Sequence, residues 1–238
     1  MNRDRWRDIR TMIEQDIMDG VLEPGTKLPT EPELAALYGS GRHSVRRAIA
    51  ELAKTGHLSV EQGRGTFVQT RPRLEYQIGR RTRMRKNLEP HGVDITGELL
   101  GIEKITANGR VAKSLNLTEG APVIVTRRIT FADGLPVSFG ALYHDATKFS
   151  AFPERRQSLG SVTAVYESYG ITDYLRGRTE IHSRPARQDE AKMLKQHPDM
   201  PVLVLRAVDR TQDGAALAYS EVIWSSARVK FSINLEDI

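Results

Sequence analysis

The chain has 238 residues, with 35 Lys and Arg against 30 Asp and Glu and a formal net charge of +5. That length suits one large domain or two small ones, and 39% hydrophobic with 27% charged residues is the balance of a folded globular chain rather than a disordered one. With no cysteine, disulfides, thiolate zinc sites, iron–sulfur clusters and cysteine nucleophiles are excluded.

Trp6, Ile9, Ile13 and Ile17 recur at steps of three and four, which predicts a first helix ending at Gly20. After a turn at Pro24 and Gly25, Thr30-Glu31-Pro32-Glu33 reads as a capping box with proline in the first helical turn, so a short second helix is expected over 31–38. Gly39-Ser40-Gly41 breaks it. A third helix follows over 42–55, with Val45, Ala48, Ile49 and Leu52 as its buried stripe and Gly56 as its stop. Leu58-Ser59-Val60 and Thr66-Phe67-Val68 read as two strands around the turn Gln62-Gly63-Arg64-Gly65.

The charge excess is local. Arg80, Arg81, Arg83, Arg85 and Lys86 stand in a stretch with one acidic residue, whereas residues 91–238 are balanced at 18 of each sign. This basic linker, over 71–92, is expected to face phosphates.

Beyond it the chain repeats itself. Ala112-Lys113-Ser114-Leu115, Val123 to Arg127 and Asp133-Gly134 match Ala191-Lys192-Met193-Leu194, Val202 to Arg206 and Asp213-Gly214, with Pro122 and Pro201 in the same register. The offset is 79 residues, with one extra before the second turn. A duplicated strand, helix and β-hairpin unit implies an α+β domain over 93–238, an antiparallel sheet with flanking helices in which Arg127 and Arg206 are equivalent. Between the copies, Val162, Val165, Tyr166 and Tyr169 fit a helix capped by Ser161.

In the third helix Arg42 and Arg46, like His43 and Arg47, are four residues apart and lie away from the buried stripe. Such side chains at the start of a helix after a tight turn suit a helix-turn-helix, some holding phosphates and others reading base edges, for which arginine matches guanine. The glycine hairpin at 63–65 lets backbone approach a duplex while Arg64 enters a narrow minor groove. Residues 1–70 therefore read as a winged helix-turn-helix.

Pro24-Gly25-Thr26-Lys27-Leu28-Pro29-Thr30-Glu31-Pro32-Glu33-Leu34-Ala35, then Val45-Arg46-Arg47-Ala48 and Gln62-Gly63-Arg64-Gly65-Thr66-Phe67-Val68, resemble the signature of GntR-type bacterial transcription regulators. The resemblance implies that Arg42, His43, Ser44, Arg46, Arg47, Gly63, Arg64, Gly65 and Thr66 lie at the operator. The chain departs from the pattern at Gly41, Pro32, Val60 and Glu61, which bears on operator sequence. The remainder resembles the UTRA effector domain of the HutC subfamily, which has a chorismate-lyase fold, and Arg71 to Tyr76 with the basic stretch resembles the PhnF-type repressors of phosphonate-utilisation operons. Through that resemblance Arg127, Ser161 and Arg176 become candidate anion-binding residues for a phosphate, a phosphonate, or alternatively a carboxylate or aminosugar phosphate. Arg206 joins them as the equivalent of Arg127, and Tyr219 and Glu221 as neighbours on one strand face.

A ligand-processing enzyme on the lyase-like fold is the rival reading. The six histidines, His43, His57, His91, His144, His182 and His197, show no metal-binding spacing, and no helix follows the glycines at 63 and 65 to build a nucleotide site. No cofactor or metal is expected. The N-terminal residues alternate charges and no apolar run reaches membrane-spanning length, so a cytoplasmic homodimeric repressor is the expectation.

Overall fold

The computed structural model describes residues 5–69, 73–81, 84–88, 92–196, 198 and 200–234, those of 85 and 86 without their side chains. The chain divides into two compact units that interleave in sequence. One comprises Met1–Leu74, Arg184–Val202 and Ser225–Lys230; the other comprises Glu75–Ser183, Leu203–Trp224 and Phe231–Ile238.

The first unit carries α1 (Arg5–Met18), α2 (Glu31–Leu37), α3 (Arg42–Lys54) and the hairpin of β1 (Leu58–Glu61) with β2 (Gly65–Val68). The Thr30 amide and hydroxyl both donate to the Glu33 carboxylate at 2.7 Å, which closes the expected box and holds that carboxyl below its usual range. Ile9, Ile13, Leu34, Val45, Ala48, Ile49, Leu52, Leu58 and Val68 form one core. Met200, far away in sequence, belongs to the same core and is 1% exposed.

That residue enters with α8 (Gln188–Met193), whose Glu190 carboxylate accepts from Nη1 and Nη2 of Arg184 at 2.6 Å each. Beyond its end the chain meets the hairpin, where the Gln62 amide donates to the Lys195 carbonyl at 3.2 Å. Arg228, buried and pushed down to about 10 by that burial, donates to the Leu194 and Lys195 carbonyls at 2.6 and 3.1 Å. Two segments from the last quarter of the sequence thus complete this unit.

The second unit is built on a six-stranded sheet in the order β4-β5-β6-β9-β8-β7. Its strands are β4 (Ile95–Thr106), β5 (Pro122–Ala132), β6 (Leu135–Asp145), β7 (Leu175–Pro185), β8 (Pro201–Arg210) and β9 (Ala216–Ser225). The duplication is visible in this order: β4, α5 (Gly109–Leu115), β5 and β6 run in sequence as β7, α8, β8 and β9 do, and the two triplets of strands meet at the β6–β9 pair. Asn108 caps α5 through bonds from the Arg110 and Val111 amides, and α5 packs on the sheet through Val111, Ala112 and Leu115 against Val123, Val208 and Tyr219.

Two further helices, α6 (Phe152–Leu159) and α7 (Val162–Ser168), bring Phe152, Val165 and Tyr166 into a core with Ile124, Phe149, Tyr174 and Leu217. The remaining pieces are β3 (Leu74–Gln77), paired with β10 (Val229–Ser232), and the short helix α4 (Met84–Leu88).

Candidate nucleic-acid interface and effector cavity

On α3 the side chains of Arg42, His43, Arg46 and Arg47 are exposed and Ser44 is half-buried, because Val45, Ala48 and Ile49 take the core-facing positions. These cations differ in what holds them. Arg46 forks onto Glu31 at the start of α2, with Nε 3.1 Å from both carboxylate oxygens and Nη2 2.8 Å from one. The Arg47 guanidinium lies 4.2 Å from the centre of the Trp6 ring.

In the hairpin, Gly63 (φ +80°) and Gly65 (φ +129°) adopt backbone conformations that side chains disfavour. A Cβ at Gly65 would also press on the Lys27 side chain at 2.7 Å. Arg64 bends back onto Glu61 of its own hairpin and sits 5.7 Å from the Phe67 ring centre, with Lys27 Nζ 6.0 Å from the same centre. Sequence reasoning missed Lys27 and Glu31; the signal for Glu31 was an acid at a helix start opposite an arginine 15 residues on.

In the second unit, one face of the sheet, with α6, α7 and the segment around Arg81, encloses a cavity of about 930 Å³. Strand register lays out its floor in rows: Thr126, Leu142 and Ser220; then Arg128, Gly140 and Val222; then Thr130, Ser138 and Trp224. Arg156, Gly160, Ser161 and Thr163 contribute from the helices, and Tyr174, Arg176 and Asp209 from the β7–β8 side.

Besides Arg176 Nε and Asp209 Oδ1, which face each other as an ion pair, four buried polar atoms on this lining have no hydrogen-bond partner among the described residues: Thr126 Oγ1, Ser138 Oγ, Arg156 Nε and Trp224 Nε1. Buried polar groups are normally paired, so such a concentration marks a place for a polar molecule. The two nitrogens are donors and the two hydroxyls can donate, so the surface suits an acceptor-rich ligand. Burial lowers the Arg156 pKa, and its Nη1 donates to the Gly160 carbonyl.

Two other arginines on the lining are matched by carboxylates. Arg176 Nε stands 2.8 Å from Asp209 Oδ1, and Arg81 forks onto Asp173 at 2.7 to 3.1 Å. Hydrogen bonds from Arg81 and Gln212 hold the Asp173 carboxyl well below the usual carboxylate range. The Tyr166 ring, also on the lining, places its hydroxyl 2.7 Å from Nε2 of the wholly buried His144.

Residues 6–68 match the family model described as bacterial regulatory proteins, gntR family, and residues 91–230 match the UTRA domain. An uncharacterized HTH-type transcriptional regulator of Rhizobium meliloti is 36% identical over 96% of this chain and 93% of its own length. The chain belongs to the GntR family.

This GntR regulator is also 29% identical to the probable transcriptional regulator PhnF of Escherichia coli, over 96% of this chain and 94% of that one. A crystal structure of PhnF from Mycobacterium smegmatis shares its fold, with a TM-score of 0.62 and 24% identity over 95% and 98% of the two chains. It is a DNA-binding transcriptional regulator with an effector-type second domain.

The effector residues expected from its sequence separate into two groups. Ser161 and Arg176 line the cavity. Ser161 also caps α7, its Oγ accepting from the Ala164 amide at 3.0 Å.

Arg127, Arg206, Tyr219 and Glu221 are not on the lining; they stand on the alternate positions of the same strands and so face the other way. Arg127 pairs with Glu103 at 3.0 Å, while Glu221 gathers Arg206 at 3.0 Å, Arg110 at 3.5 Å and the Tyr219 hydroxyl at 3.1 Å. Burial pushes the Glu221 carboxyl up, but Arg206, Tyr219 and Arg110 together hold it below its usual range. The arginine of β5 that lines the cavity is Arg128, one residue on from the expected Arg127.

In the basic stretch, Arg81 is committed to Asp173, and the Arg80 carbonyl accepts from the Arg176 amide at 2.7 Å. Arg71, Pro72, Arg83, His91, His197 and the side chains of Arg85 and Lys86 lie outside the described residues.

Proposed function

We propose that this regulator is a homodimeric repressor whose grip on a pseudo-palindromic operator is released by a small anion, of phosphate or phosphonate type, held in the cavity of the second unit. The observation that carries the effector class is the set of four buried, partnerless polar atoms, one of them Arg156 Nε, on a lining that also carries Arg128. A guanidinium beside hydroxyl and indole donors matches the several acceptor oxygens of a phosphoryl group better than it matches an uncharged ligand. The resemblance to proteins named PhnF supports the phosphonate choice within that class.

In this reading Arg128 takes the anchoring place first expected of Arg127, with Ser161, Arg176, Thr126 and Ser138 as further contacts. Arg42, His43, Ser44, Arg46, Arg47, Gly63, Arg64, Gly65 and Thr66 form the operator surface, and two copies double the number of bases read. The basic stretch from 80 to 86 serves as connection rather than phosphate surface at Arg81, whose charge is matched. Release requires the anion to bind the DNA-free arrangement more tightly than the DNA-bound one.

Thermal stabilisation by inorganic phosphate, methylphosphonate, glucosamine 6-phosphate and citrate tests the effector class. Phosphate or phosphonate is expected to raise Tm of the wild type and of Arg127→Ala, and to lose most of that effect in Arg128→Ala. Stabilisation by citrate alone, or equal stabilisation of the two variants, would overturn the assignment.

A further inference from the structure

We infer that Glu31 is a positioning residue for DNA readout: its carboxylate sets the orientation of Arg46 and cancels its charge, so that Arg46 reads bases rather than gripping phosphate. Glu31 opens α2 and Arg46 lies one turn into α3, so the bond spans the turn of the helix-turn-helix itself. The contact is a fork of three hydrogen bonds between 2.8 and 3.1 Å, engaging Nε and Nη2 of a group that carries five N–H donors. A planar guanidinium held along one edge has its plane and direction fixed, which is the requirement for bidentate recognition of a guanine edge.

Glu31 has no competing structural duty of the kind its neighbour has. The helix cap is made by Glu33, not by Glu31, and the Glu31 side chain is 27% exposed, beside an Arg46 side chain that is 49% exposed. An exposed ion pair contributes little to folding. Placed on a surface that approaches a polyanion, however, a carboxylate repels every phosphate equally. Such a carboxylate lowers affinity for all DNA while sharpening the choice of one site. Arg42, a turn earlier on the same face, makes no carboxylate fork of this kind among the described residues, so the two arginines divide the work: one carries charge, the other carries direction.

The test uses the full-length protein, the duplex it selects from a random library, and a scrambled duplex of the same composition. Glu31→Gln is expected to bind the selected duplex about ten-fold more weakly, as for a misdirected base contact. It should bind the scrambled duplex several-fold more tightly, with a log–log salt slope steeper by about 0.9, the value for one more neutralised phosphate. Glu31→Asp keeps the charge but shortens the reach; discrimination should fall while the salt slope stays at the wild-type value. The double variant Glu31→Gln with Arg46→Ala should discriminate no worse than Arg46→Ala alone, and all should melt within a few degrees of wild type.

If Arg46→Ala weakens the selected duplex but Glu31→Gln discriminates like wild type, the inference about Glu31 fails. If Arg46→Ala leaves both duplexes unchanged, Arg46 is off the DNA and the inference fails with it. Equal weakening of Glu31→Gln on both duplexes would also overturn it, because a merely structural role acts on all DNA alike.

Discussion

His144 shows what a single side chain is asked to tolerate here. It is fully buried among Phe149, Phe152 and Tyr166, and burial pushes its pKa down to about 3 from an ordinary 6.5. A folded-state pKa below the unfolded one means that the neutral ring stabilises the fold fully above about pH 6.5, and that this contribution drains away as pH falls toward 3. The wild type should therefore lose up to about 1.4 kcal/mol of stability per pH unit through that window from this residue alone. His144→Gln, which keeps a hydrogen-bonding partner for Tyr166, should show a shallower loss in urea melts at pH 7, 5.5 and 4; parallel slopes for the two proteins would assign the acid sensitivity to other groups.

Two glycines give a sharper contrast. A Cβ at Gly97 would overlap first the guanidinium of Arg128, the far end of a flexible side chain, whereas a Cβ at Gly140 would meet the Glu221 carbonyl and Val222 Cα of the neighbouring strand. Gly97→Ala should thus fold normally and weaken phosphate binding by about ten-fold, the loss expected for one charged hydrogen bond. Gly140→Ala should cost about 1 to 3 kcal/mol of stability through overpacking. Tm with and without added phosphate separates the two outcomes.

At the scale of elements, α3 and the hairpin were legible because their signals are local: apolar residues at helical steps, a glycine stop, a four-residue turn between short strands. The duplicated unit was legible for the same reason, as two helix starts and two turn signals keep one register. The cavity was not. Thr126, Ser138, Arg156 and Trp224 come from four elements, and nothing in the chain near any one of them announces the other three. The choice between Arg127 and Arg128 depends on strand phase, and adjacent residues of one strand always face opposite ways. With Ile124 and Val125 both buried, alternation in the sequence gives no phase, because both faces of the sheet are covered.

The exposed start of α3 was read correctly in position, since Arg42 and His43 are solvent-exposed there. Arg42→Ala should accordingly lower discrimination between the selected and scrambled duplexes by about 1 to 3 kcal/mol; an equal loss on both would reduce Arg42 to a phosphate contact.

For the molecule as a whole, the division of the chain matters more than its two ends suggest. The family match to residues 6–68 would let the DNA-binding head be drawn as an N-terminal bead. The compact unit that contains it also takes 184–202 and 225–230, and no local pattern could show this, because Met200 looks like any methionine before a strand. Met200→Ala should destabilise the unit by about 2 to 5 kcal/mol, the usual cost of emptying a buried site. Denaturant unfolding followed through Trp6, one of the two tryptophans of the chain, with Trp224 replaced by Phe, would read that change.

Met200 and the Arg228 contacts make the head a poor candidate for modular exchange. A chimera that borrows only residues 1–74 and joins them to the sheet of a distant relative inherits a core lined for a methionine it no longer receives, and a hairpin whose Gln62 amide has lost its carbonyl. Such a graft should express as an unstable protein unless the two later segments travel with it. Over evolutionary time, the same interlock would favour inheriting this head and its sensor together and disfavour their free shuffling.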